Sequence, residues 1–299
     1  MTDLESLLLA LFLFLVPLLI FFYFTNSSKL STTPTLTNKF QPFKVLSKKV
    51  VGGVNSRPII FLTLQCSVGD LPTGSHVKIQ VPIGDNQFAQ RSYTPTKFSL
   101  NTCELLIRVY KSGIVSPILS KIDPGDHINM MGPTGIHRYL SASSSFKCGA
   151  KRFDGITNIA LISGGTGITP MLQIINAAMR TPASDSLKLR IKLLVYSQTP
   201  GDVMLESELR EIEKNSLGLL SLTFLVSKMS ESEIAINNNN NSYTEGSMRR
   251  QSGKDILSML GWDETTSPSS SMVCLCGPDG FTDKAKTELK PLVSNVLTW

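Results

Sequence analysis

Residues Ile159-Ala160-Leu161-Ile162 run into Ser163-Gly164-Gly165-Thr166-Gly167-Ile168-Thr169-Pro170, an apolar stretch that ends in a cluster of glycines. Apolar residues at helical spacing follow, namely Met171, Leu172, Ile174, Ile175, Ala178 and Met179. A strand, a tight turn and a helix start in that order bring backbone N–H groups to a phosphate. Glycine suits the turn because a Cβ would hold the ligand off the backbone or forbid the conformation. An ordinary glycine-rich strand–helix turn shares this pattern, and two further stretches decide between the readings. No metal site is expected: Cys274-Leu275-Cys276 is not a ligand spacing and no histidine sits near it. The five scattered cysteines are read as free thiols in a reducing compartment.

The elements that must position this turn can be taken in chain order. The chain has 299 residues, 41% hydrophobic and 17% charged, enough for two domains and an extra segment. A net charge of +6 without a lysine or arginine block gives no reason to expect nucleic acid. Leu4 to Phe24 is almost uninterrupted Leu, Phe, Ile and Val, the length of a membrane-spanning helix. Its start is acidic (Asp3, Glu5), and Lys29, Lys39, Lys44, Lys48 and Lys49 follow it, so the rest of the chain is expected in the cytosol. Ser27 to Lys39 reads as a polar tether. From about Phe43, short β-rich runs such as Ile59–Leu64, Val77–Val81 and Leu105–Tyr110 alternate with turn residues, which suggests an antiparallel barrel or sandwich. Ser141 to Gly155, rich in serine, reads as a linker or surface loop. Thereafter strands and helices alternate, which predicts a parallel sheet covered on both faces. The run Asn237–Asn241 reads as a disordered loop tip. The expected organisation is an anchor over 1–28, a tether over 29–39, a β-barrel domain over 40–150 and an α/β nucleotide domain over 151–299.

Arg91-Ser92-Tyr93-Thr94-Pro95-Thr96, Gly164-Gly165-Thr166-Gly167-Ile168-Thr169-Pro170 and Cys276-Gly277-Pro278-Asp279-Gly280, in this order, resemble the ferredoxin–NADP reductase superfamily. The nearest branch is the NADH–cytochrome b5 reductases, and the likeness covers roughly Phe40 to the C-terminus. The resemblance implies FAD as cofactor and NADH, with NADPH possible, as reductant. Arg91 would neutralise the flavin pyrophosphate, a task that suits a forked guanidinium. Ser92 belongs to the same strand, Tyr93 would lie against the isoalloxazine and Thr94 would bond near its N5. Arg108, Val109 and Tyr110 resemble the second flavin strand, and Gly113, Val115 and Ser116 the pyrophosphate turn. Gly165, Thr166 and Gly167 would hold the nucleotide's pyrophosphate, with Thr169 and Pro170 at the flavin edge. Cys276, Gly277 and Pro278 would lie beside the nicotinamide C4. Thr94, Thr169 and Cys276 would therefore surround the reacting atoms as positioning groups, with no side chain acting as acid or base. Trp299 is either a flavin-stacking group or a surface aromatic.

The same resemblance implies a monomeric, membrane-bound oxidoreductase passing a hydride from nicotinamide to flavin and single electrons to cytochrome b5 or a similar haem protein. The endoplasmic reticulum is the first expected membrane and the mitochondrial outer membrane the second. Three positions depart from the pattern. Ile114 and Val115 replace a lysine that would face an acidic partner, and Phe281 replaces a methionine. Val226-Ser227-Lys228 replaces the acidic residue that would clamp the adenine ribose. A superfamily reductase acting on a quinone or ferric chelate, or a slow flavin-binding scaffold, therefore stays open. With Lys228 as the single nearby cation and no arginine pair in view, NADH is expected to win modestly over NADPH.

Overall fold

The computed structural model describes residues 33–53, 57–67, 71–181, 189–240, 242–263, 266 and 268–299. The expected membrane span at Leu4–Phe24 lies outside them. Among the described residues, no helix is long and apolar enough to cross a membrane. Thr35 to Trp299 forms one compact unit.

Its first half is an antiparallel sheet. The strands are β1 (Gln41–Gly52), β2 (Ile59–Gln65), β3 (His76–Gly84), β4 (Gln87–Tyr93), β5 (Pro95–Phe98), β6 (Thr102–Arg108) and β7 (His127–Thr134). They pair in the order β4-β3-β7-β1-β2-β6-β5. Alternation builds it: Val77, Ile79 and Val81 of β3 are buried while Lys78 and Gln80 between them are not. The two edge strands are joined in the chain by Thr94 alone, so the sheet curls round a core of Phe43, Leu62, Leu64, Leu105, Ile107 and Met130. Helix α1 (Val115–Lys121) seals it with Val115 and Leu119. The tether read from the sequence ends sooner than expected. Leu36 is buried and its N–H bonds Ser67 O at 2.8 Å, because an apolar residue that fits the sheet edge docks there.

Ser141 to Gly155 is not a plain linker. β8 (His137–Leu140), β9 (Ser145–Cys148) and β10 (Lys151–Phe153) form a three-stranded antiparallel sheet. Its serines act inward: Ser145 Oγ donates to Asp154 Oδ1 at 2.8 Å, and Ser144 Oγ donates to Ile156 O. The Tyr139 and Phe146 rings pack 4.8 Å apart beneath.

The second half contains β11 (Asn158–Gly164), α2 (Ile168–Arg180), β12 (Arg190–Ser197), α3 (Glu206–Asn215), β13 (Leu220–Val226), α4 (Glu231–Asn240), β14 (Thr244–Glu245), α5 (Gly253–Leu260), β15 (Ser271–Cys276), α6 (Asp279–Leu289) and β16 (Val296–Thr298). All strand pairs are parallel, in the order β14-β13-β12-β11-β15-β16. β11 and β15 are buried almost end to end, as expected of strands covered on both faces. The asparagine segment departs from the loop expected: Glu231–Asn240 is helical. The Asn237 side chain closes it by donating to Tyr243 O at 2.8 Å and accepting from Tyr243 N–H at 2.7 Å. α5 opens on a capping box between Ser252 and Asp255 and stops at left-handed Gly261.

The sheets share a core. Ile59 and Leu106 of the first half pack in the cluster that holds Ile159, Leu172 and Ile175, each such side chain stabilising by about 1.5–3 kcal/mol. Two polar stitches fix the relative setting. Buried Gln173 of α2 accepts from Gly74 N–H at 3.0 Å and donates to Pro95 O at 3.1 Å. Arg108 reaches from the end of β6 to Asp202, just ahead of α3.

Candidate active site

The parallel sheet reverses its winding between β11 and β15: the chain moves outward through β12, β13 and β14, then returns to the other side of β11. Loops at the C-terminal ends of two such strands separate, and the crevice between them is where α/β sheets hold ligands. Ser163 of β11 pairs in register with Cys276 of β15, so Gly164–Gly167 and Gly277–Gly280 face each other across it. The approach is tight enough to exclude side chains. A Cβ on Gly167 would lie 2.1 Å from Cys276 O, and one on Gly277 would lie 2.7 Å from the Phe281 ring. At Gly165, which has φ +56°, a Cβ would meet nothing within 4 Å, so the backbone there is open to a ligand. α2 begins directly after, with no side chain capping it, and its N-terminal end favours an anion.

Two cavities of about 820 Å³ each open on this crevice. Arg91, Ser92, Tyr93 and Thr94 line the first from the antiparallel sheet. Thr166, Gly167, Thr169, Pro170, Cys276 and Gly277 line it from the parallel sheet. The sequence-predicted residues of three separate stretches thus meet on one wall. Arg91 is exposed and has no ion-pair partner among the described residues. Thr169 Oγ1 donates to Thr166 O at 3.1 Å, leaving its oxygen able to accept. Burial pushes the Tyr93 hydroxyl up to about 12. It also pushes the Cys276 thiol up to about 12, partly offset by the Gly277 N–H, so at neutral pH the sulfur is an uncharged spacer rather than a thiolate. Trp299 is fixed on the same wall: its indole N–H donates to Gly74 O at 3.1 Å, and its ring stands 4.6 Å from that of His137.

Gly165 and Pro278 line the second cavity, with Tyr110 and Arg108. Arg108 is placed differently from a free cofactor ligand. Its Nη1 donates to Asp202 Oδ1 at 3.0 Å and its Nη2 to Asp202 O at 2.7 Å, both residues being buried. Val109 is buried and donates its N–H to Pro58 O. Gly113, Val115 and Ser116 line neither cavity; Ser116 Oγ accepts from Tyr110 N–H at 3.1 Å and holds their turn together.

Several lining groups escaped the sequence reading. His76, Lys78 and His137 stand on the first cavity. Burial holds both histidines below their ordinary range, with Lys78 and Arg138 adding repulsion at His76. Arg57, Arg249 and Arg250 stand on the second, beside Ser227 and Lys228, so Lys228 is not the only cation there. The adjacent arginines were visible in the sequence, but β14, which carries them to this edge, is two residues long and leaves no pattern.

The residues fit a flavin dinucleotide: a cavity of sufficient size holds an unpaired guanidinium, a half-buried aromatic and a backbone cradle with no Cβ in it. Residues 43–139 match the family model described as an oxidoreductase FAD-binding domain. Residues 161–287 match the one described as an oxidoreductase NAD-binding domain. NADH-cytochrome b5 reductase 1 of Eremothecium gossypii is 30% identical over 288 residues, covering 94% of this chain and 90% of that protein. The Scheffersomyces stipitis protein of the same name is 32% identical over 192 residues, covering 64% of this chain and 62% of its own length. Among solved structures, the cytochrome b5 reductase domain of Ulva prolifera nitrate reductase shares the fold with a TM-score of 0.71 at 22% identity, over 89% of this chain and all of that domain. The chain therefore belongs to the NADH–cytochrome b5 reductase family, oxidoreductases that use FAD and NADH.

Proposed function

We propose that this protein takes electrons from a nicotinamide dinucleotide in the crevice between β11 and β15 and delivers them singly to a small haem protein such as cytochrome b5. The observation that carries the reading is the shared wall of the first cavity, where Arg91–Thr94 of the antiparallel sheet face Thr169, Pro170 and Cys276 of the parallel one. FAD held there would supply the chemistry that couples a two-electron donor to a one-electron acceptor. The residues do the rest by position. Arg91 binds the flavin pyrophosphate and Tyr93 supports the ring. Thr94 and Thr169 orient it by hydrogen bonds. Cys276 and Gly277 would hold the nicotinamide against the flavin. Gly165 to Gly167 take the nucleotide's pyrophosphate.

In this reading Leu4–Phe24 anchors a monomer to the endoplasmic reticulum membrane with the catalytic unit, barrel over 40–150 and nucleotide domain over 151–299, in the cytosol. The apolar run, its acidic start and the lysines after it support this. Ile114, 59% exposed where the family resemblance leads one to expect a lysine, favours a second reading in which the acceptor is an uncharged quinone. Anaerobic reduction of the purified protein by NADH, then mixing with cytochrome b5 or with a soluble quinone, separates the two. Fast haem reduction supports the first; reoxidation by quinone with haem left oxidised supports the second.

A further inference from the structure

The second cavity differs from an ordinary nucleotide pocket in its charge. Among the described residues, five cations line it (Arg57, Arg108, Lys228, Arg249 and Arg250) and no carboxylate does. Arg57 and Arg108 are already engaged, both forming ion pairs with Asp202. The other three line the cavity from segments that follow β13 and its neighbour β14. Lys228 is fixed there by its backbone N–H, which donates to Gln198 O at 2.8 Å, and its ammonium has no ion-pair partner among the described residues. The arginines are brought in by β14, which pairs with Leu225 and Val226. Gly246 N–H then donates to Val226 O at 2.9 Å, and Arg250 N–H closes a turn on Ser247 O at 2.9 Å. The approach is close: a Cβ on Gly246 would lie 2.6 Å from the Leu225 side chain. Beyond the turn, Gln251 accepts from the Tyr196 hydroxyl at 2.6 Å, so the segment is held at both ends. Arg249 has no ion-pair partner among the described residues. Among the described residues Arg250 pairs only with Glu245, at 3.7 Å with both side chains mostly exposed, a pairing of little energy.

Position along the sheet says which part of a dinucleotide these charges meet. Strands lie about 4.8 Å apart, so the end of β13, two strands from β11, is about 10 Å from the glycine turn. A pyrophosphate at Gly165 therefore leaves the adenosine ribose near Ser227, the place where an acidic residue would bond the ribose hydroxyls and repel a 2′-phosphate. Here that residue is a serine, and three cations line the same cavity.

We infer that Ser227, Lys228, Arg249 and Arg250 form a subsite for the 2′-phosphate of NADPH, so that this reductase accepts NADPH at least as well as NADH. The inference rests on the proposed nucleotide site and departs from the modest NADH preference expected from the sequence. Isothermal titration of the purified protein with adenosine 2′,5′-bisphosphate and with adenosine 5′-monophosphate tests it without turnover. The bisphosphate is expected to bind about tenfold to a hundredfold more tightly at low salt, the gain of a forked, charge-assisted contact. Arg249→Ala with Arg250→Ala should bring the two probes to parity, and Ser227→Asp should reverse their order. Equal affinities in the wild type, or a preference untouched by the double substitution, would overturn the inference. Flavin reduction by NADH in the same preparation reports on the underlying function separately. Reduction alongside equal probe affinities overturns only the 2′-phosphate subsite. A probe preference with no reduction by either nucleotide overturns the reductase reading and leaves the subsite supported.

Discussion

Arg91 and Arg108 sit on the same antiparallel sheet, and both belong to stretches that resemble flavin-binding strands, yet the fold uses them in opposite ways. Arg91, near the end of edge strand β4, is exposed, without an ion-pair partner among the described residues, and on the wall of a large cavity. Arg108, at the end of β6, is 6% exposed and grips Asp202, itself 1% exposed, through two hydrogen bonds. An unpaired exposed cation costs the fold little and is free for an anion. A buried pair does little for net stability but becomes expensive once one partner is removed. The contrast separates arginines open to an anion from arginines already paired, and the cavities repeat it: Arg57 and Arg108 share Asp202, while Lys228 and Arg249 have no ion-pair partner among the described residues.

The comparison breaks most visibly at Arg108. Arg108→Ala leaves the Asp202 carboxylate buried without its main partner and should lower folding stability by about 3–5 kcal/mol, measured by chemical denaturation. A loss below about 1 kcal/mol would mean that the two sheets are held chiefly by their shared apolar core. A smaller effect is expected across the crevice. Gly167→Ala drives a methyl into Cys276 O, an atom of backbone that cannot rotate away, and should cost about 1–3 kcal/mol. It should also slow flavin reduction by NADH, because the β15 loop must shift; unchanged stability and rate would show that the crevice has slack.

The smallest effect concerns acid. Burial lowers the folded-state affinity of His76 and His137 for protons, so the unfolded chain binds more protons near the ordinary histidine value of about 6.5. Stability contributed by the neutral rings is therefore present above that pH and is lost as pH falls through it. The denaturation midpoint should decline on acidification from neutrality, and replacing both histidines by glutamine should flatten the decline. An unchanged profile would place the acid-sensitive groups elsewhere.

Much of this was legible in the sequence, for physical reasons. The glycine turn after β11 announces itself because a close approach to the β15 loop tolerates no Cβ at Gly167. The barrel strands announce themselves through period-two burial, as in Val77, Ile79 and Val81. What was not legible depended on partners far away in the chain. Nothing near Arg108 signals Asp202, which lies 94 positions on. The serines of 141–145 read as solvent-facing, although Ser144 and Ser145 are themselves buried and bond Ile156 O and Asp154 just beyond the three-stranded sheet. Helix α4 was hidden because asparagine favours turns locally, and only the reciprocal bonds of Asn237 with Tyr243 show how its end is held.

The claim that Arg91, and not Arg108, holds the cofactor is tested most directly by titrating FAD into FAD-free wild type and Arg91→Ala protein while following the denaturation midpoint of each. The account predicts affinity lower by about tenfold to a hundredfold in the variant, the loss of a charge-assisted contact of about 1.5–3 kcal/mol, with the FAD-free midpoint unchanged. Full FAD affinity in Arg91→Ala, or a lowered midpoint that accounts for weaker binding, would contradict it.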